Sequence, residues 1–134
     1  MAEGIARHWV ENNQVEGWEV MSAGTFAGEG YQTSPNTVAA LKDHGIDFKG
    51  VSKALSKEMI DRAAAVLCMS STHCMDVASI AEDPKKIEMI NPYGDIVDPI
   101  GGDQSVYDEL ALTLLELIPK RVLEITKRPA YTEE

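Results

Sequence analysis

Apolar residues recur at helical spacing from the start of the chain. Ala2, Ile5, Ala6, Trp9 and Val10 place one stripe on residues 1–12, predicting an amphipathic helix. Trp18-Glu19-Val20-Met21 reads as a short strand and the Gly-rich stretch 24–30 as a loop. Ser34 and Pro35 suit the N-cap and first turn of a second helix, which buries Val38, Ala39 and Leu41 and stops at Gly45. Ser56 caps a short helix holding Met59 and Ile60. The unbroken apolar run 63–69 has strand length and the character of a strand buried on both faces. A helix over about 71–80 and a strand over 87–90 follow. After a loop at 91–102, a last helix at 103–126 carries Leu110, Leu114, Leu117 and Ile118 on one face, with a kink expected at Pro119.

Strands alternating with helices predict an α/β fold with a parallel sheet covered on both faces. Such sheets bind ligands beyond the carboxyl ends of their strands, where the 91–102 loop falls. With 134 residues the chain is one domain, read as residues 1–126 followed by a flexible tail at 127–134. A net charge of -10 argues against nucleic acid or an anionic membrane as partner, and no apolar run reaches the length of a membrane span. Two cysteines, Cys68 and Cys74, make no disulfide framework, so a reducing cytoplasm is the expected location. His8, His44 and His73 lie far apart and share no metal spacing; no metal or cofactor is expected.

The candidate chemistry lies in Asp95-Ile96-Val97-Asp98-Pro99-Ile100-Gly101-Gly102 and the following Ser105-Val106-Tyr107-Asp108. Pro99 fixes its own φ and holds Asp98 extended, while the glycines allow backbone to approach a ligand closely. A tethered aspartate on such a turn suits a general acid that protonates a leaving group. Taken alone, the same residues make an ordinary surface turn.

The wider pattern weighs on that choice. Met1-Ala2-Glu3-Gly4-Ile5-Ala6, Ser22-Ala23-Gly24-Thr25, Ser34-Pro35-Asn36, Val51-Ser52-Lys53-Ala54-Leu55, Val66-Leu67-Cys68-Met69-Ser70 and the Asp98 loop follow one another in fixed order. In this the chain resembles the low-molecular-weight protein tyrosine phosphatases, which include bacterial protein-arginine phosphatases and some arsenate reductases. The resemblance implies a three-layer α/β sandwich with a small parallel sheet. It also implies hydrolysis of phosphoprotein monoesters or phosphoramidates through a phosphocysteine. By resemblance Asp98 is the general acid, Ile100 stands where relatives carry an aromatic substrate-wall residue, and Tyr107 matches a tyrosine after the acid loop. The alternative for Ile100 is a solvent-exposed turn position, and for Tyr107 a half-buried helix-start aromatic. Phosphorylated protein or a small phosphoester is the implied partner.

One departure stands against these matches. The family places its phosphate loop, Cys-x5-Arg-Ser-Pro, at the end of the first strand and directly before Met-Ala-Glu. Here Met-Ala-Glu opens the sequence, so the first strand, nucleophile and arginine are absent from it. Six residues after Cys68 stands Cys74, and six after Cys74 stands Ile80, so neither cysteine rebuilds the loop. The expectation is an inactive chain. It is a phosphatase whose start codon is assigned too late, a non-catalytic pseudophosphatase with a binding role, or a rearranged sheet. Loss of a central strand predicts marginal stability and self-association through the exposed sheet. An arsenate-reductase-like relay through Cys68 and Cys74 is a further alternative, set against two unconnected thiols. Phosphotyrosine, phosphoarginine and arsenate stay open as substrates, because the residue that bears on them lies in the absent loop.

Overall fold

The protein is described from a computed structural model over residues 1–24 and 30–128. The elements follow in the order α1 (Ala2–Asn12), α2 (Pro35–Lys42), α3 (Lys57–Arg62), β1 (Val66–Cys68), α4 (Ser71–Ala78), β2 (Ile87–Met89) and α5 (Gln104–Thr126). A single 3-10 turn, Pro84–Lys86, leads into β2. Most of the expected Gly-rich loop at 24–30, and the tail beyond Arg128, lie outside the described residues.

β1 and β2 pair in parallel, with Val66 opposite Ile87, Leu67 opposite Glu88 and Cys68 opposite Met89. Alternation along the strands sorts their side chains between two helical layers. On one face Leu67 joins the main core, where Ile5 and Val10 of α1, Leu41 of α2, and Leu114, Ile118 and Val122 of α5 are buried together with Ile90 and Ile96. On the other, Cys68 is buried with Ile60 of α3 and Val77 of α4, flanked by Val66, Ile87 and Met89. Helices, sheet and helices thus form the three layers expected of the α/β sandwich.

The local signals in the sequence explain most of the elements. Ser34 Oγ accepts from Thr37 N–H at 3.2 Å and Ser56 Oγ from Met59 N–H at 3.2 Å, both as helix caps. Beyond α2, Gly45 takes φ +75°; its N–H bonds Lys42 C=O and that of Ile46 bonds Leu41 C=O, each at 3.0 Å. This closure needs the left-handed conformation glycine tolerates, and it turns Ile46 into the core. Pro119 sits within α5, which continues through it as one helix of 23 residues.

Three local expectations need correction. Residues 18–21 form no strand: strands exist by pairing, and here the Val20 carbonyl accepts from the Arg7 side chain at 2.8 Å instead. The strand expected over 63–69 shrinks to Val66–Cys68 with Val66 and Leu67 only half-buried, because among the described residues β1 has a ladder partner on one side alone. The Ala63 carbonyl is taken by Lys86 Nζ at 3.1 Å. In α2 it is Ala40, not Ala39, that is buried beside Leu41, while Val38 is half-buried. Just beyond α5, Arg128 donates to both carboxylate oxygens of Glu88, at 2.8 and 3.1 Å.

Candidate active-site loop

The loop after β2 is anchored before it reaches Asp98. Ile96, buried in the core, donates its N–H to Met69 C=O at 2.8 Å, extending the contact with the end of β1. Beside it, Asp95 Oδ1 accepts the backbone N–H of Ser71 at 2.8 Å. Ser70 Oγ accepts that of His73 at 3.3 Å, so two of the unpaired donors at the start of α4 are satisfied. A carboxylate there is also favoured by the helix dipole. Loop and helix start are therefore fixed to one another at the carboxyl end of the sheet.

From this anchor the chain turns outward. Val97 and Ile100 are each 81% exposed, and Asp98 between them faces solvent. Asp98 Oδ1 accepts the N–H of Ile100 at 3.0 Å, a local turn that leaves Oδ2 without a hydrogen-bond partner among the described residues. The Gly102 N–H bonds Pro99 C=O at 2.8 Å across Gly101, whose φ is +83°. A Cβ on Gly102 would lie 3.0 Å from the Pro99 oxygen, so a side chain there would push the turn open. Asp103 then caps α5 through Val106 N–H at 3.3 Å. The Ser105 hydroxyl, and after it that backbone N–H, hold the Asp103 carboxyl below its ordinary value. Asp98 is thus presented on a short, closed turn with a cap at either end.

Of the three residues singled out in the sequence, Asp98 and Ile100 share this exposed turn. Tyr107 does not join them: it is 7% exposed, buried in α5 with Ala40 and Ala111 and packed by Met1. That is the packing alternative, carried further than half-burial. Two shallow surface depressions of about 240 and 220 Å³ flank Arg7 on α1. Neither is lined by a residue of the 91–102 loop.

The Asp95 contact has no local signal in the sequence, because its partner Ser71 is distant along the chain and brought close only by the fold. Cys68 and Cys74, weighed in the sequence as a relay pair or as two unconnected thiols, pack in one cluster on the sheet face away from the main core. Burial first, and neighbouring Cys74 second, push the Cys68 thiol up to about 12, which suits an inert thiol and not a nucleophile. No group of three or more His, Cys, Asp or Glu side chains able to hold a metal occurs among the described residues. No helix among them is long and apolar enough to cross a membrane.

Comparison with known proteins accounts for this arrangement. The family model described as low molecular weight phosphotyrosine protein phosphatase matches residues 1–128. A protein-arginine-phosphatase of Geobacillus stearothermophilus is 39% identical over 128 residues, covering 88% of this chain and 86% of the relative. The low molecular weight protein-tyrosine-phosphatase PtpB of Staphylococcus haemolyticus is 29% identical over 124 residues, covering 90% and 86%. Among solved structures, a low molecular weight protein tyrosine phosphatase from T. tengcongensis superposes with a TM-score of 0.85 at 34% identity. It covers 92% of this chain and 88% of that one. The arginine phosphatase structure from Geobacillus stearothermophilus gives 0.81 at 35% identity, covering 92% and 84%. The chain belongs to the low molecular weight phosphotyrosine protein phosphatase family.

Proposed function

We propose that this chain is the scaffold and acid half of a protein phosphatase that hydrolyses phosphoprotein monoesters or phosphoramidates through a phosphocysteine. The observation that carries the reading is the Asp98 turn: an exposed carboxylate on a loop closed at both ends, beyond the carboxyl end of a parallel sheet. In the proposed reaction Asp98 protonates the leaving oxygen or nitrogen as the bond to phosphorus breaks. Ile100 contacts the substrate side chain from the same turn. Tyr107, too buried to touch substrate, supports the start of α5 behind it.

The nucleophilic half is a Cys-x5-Arg loop, whose backbone N–H groups and arginine hold the phosphoryl oxygens. The 134 residues contain no such sequence, so by themselves they are proposed to be inactive. Phosphoarginine is the favoured substrate class, since the 39% identical relative is a protein-arginine-phosphatase. The two free thiols fit a reducing cytoplasm.

The test is a pair of proteins: the 134-residue chain, and a chimera in which the first strand and Cys-x5-Arg-Ser-Pro loop of the Geobacillus arginine phosphatase precede Met1. The chain should leave p-nitrophenyl phosphate and phosphoarginine intact. The chimera should hydrolyse both and favour phosphoarginine over phosphotyrosine in kcat/KM. Turnover by the chain that disappears in Cys68→Ser or Cys74→Ser would overturn the reading, as would a folded but inert chimera.

A further inference from the structure

Three sulfur atoms meet on the sheet face away from the main core. Cys68 and Met89 are register partners on β1 and β2, so their side chains leave the sheet on the same side. Cys74, one turn into α4, packs against the cluster that holds Cys68. Its Sγ lies 3.5 Å from Met89 Sδ. Apolar side chains pack around them: Ile60 and Val77 are buried beside them, with Leu55, Val66 and Ile87 packed against that cluster. Cys68 is buried, while half-buried Cys74 leaves a way in from solvent.

We propose that Cys68, Cys74 and Met89 form a binding site for one soft, low-coordinate cation of the copper(I) class, held by two thiolates and a thioether. Thiolate and thioether donors select such ions over harder ones. Sulfurs about 2.3 Å from a shared ion stand roughly 3.8–4.0 Å apart. The 3.5 Å contact between Cys74 and Met89 is within about half an ångström of that spacing. Zinc would want a fourth ligand, whereas three sulfurs suit an ion of lower coordination number. Binding is an exchange: the cation enters and two thiol protons leave, with no change of oxidation state. The three donors come from three elements, so the bound ion would tie α4 to both strands. This site is independent of the phosphatase reading.

The experiment titrates the reduced 134-residue chain with copper(I) under anaerobic conditions against a graded chromophoric chelator. One equivalent per chain should be withheld from the chelator, and X-ray absorption should show a shell of three sulfurs. Cys68→Ala and Cys74→Ala should each weaken binding on the order of 100-fold or more, and Met89→Leu about tenfold. Met89→Leu keeps core volume, so it tests the thioether even where a cysteine variant fails to fold. The proposal fails if no copper is withheld from the chelator, or if more than one equivalent binds. It also fails if Met89→Leu and Cys68→Ala bind as tightly as the parent, or if titration yields a Cys68–Cys74 disulfide in place of bound metal.

Discussion

Asp98 and Asp95 stand three residues apart on one loop and do different work. Asp98 Oδ1 closes a turn on its own loop, whereas Asp95 spends its carboxylate on the first backbone N–H of α4. Asp95→Asn keeps an acceptor for Ser71 and should cost little. Asp95→Ala removes it and should lower stability by about 1 kcal/mol, as cap losses do, read as a lowered denaturant midpoint at unchanged m-value. The turn that carries Asp98 was legible in the sequence because it depends on near neighbours, Pro99 and the two glycines. The contact of Asp95 was not, because its partner is 24 positions away.

At the scale of elements, β2 is bound to α5 by charge as well as by packing. Glu88 accepts from Arg121 Nη2 at 3.1 Å and from Nη1 and Nη2 of Arg128. The Arg128 hydrogen bond first, then that of Arg121, hold its carboxyl below the ordinary glutamate value. A carboxyl whose pKa is depressed by folding contributes stability above its unfolded pKa, about 4.3, and loses it as pH falls through the folded value. Glu88→Gln should therefore cost about 1–2 kcal/mol at neutral pH, between exposed and buried pairs. It should also flatten the acid side of the stability profile below about pH 4.3; an unchanged acid limb would show that the network contributes nothing. The helices were readable from periodicity and caps, since Ser34, Ser56 and Gly45 act through bonds a few residues long. The segment at 18–21 was misread because β-propensity promises a strand only where a partner offers its edge.

Across the whole molecule, β1 is paired on one side only among the described residues, which leaves backbone donors and acceptors along Val66–Cys68 open to another strand. The 134-residue chain should therefore self-associate as its concentration rises, seen as a concentration-dependent sedimentation coefficient. The chimera carrying a first strand should remain a monomer. Equal, monomeric behaviour of the two would mean that the open edge is covered in solution.

The most direct measurement is made on that chimera, comparing Asp98→Asn with Asp95→Asn across aryl phosphates of graded leaving-group acidity. Asparagine at 98 can still accept from Ile100 N–H, so the turn persists while the proton is lost. The account predicts a fall in kcat of about 10²–10³ for poor leaving groups, little loss for acidic phenols, and a flattened alkaline limb of the kcat profile. Asp95→Asn should leave all three near the parent. Equal losses from the two substitutions, or a loss at Asp98 that ignores the leaving group, would contradict it and make Asp98 a turn residue only.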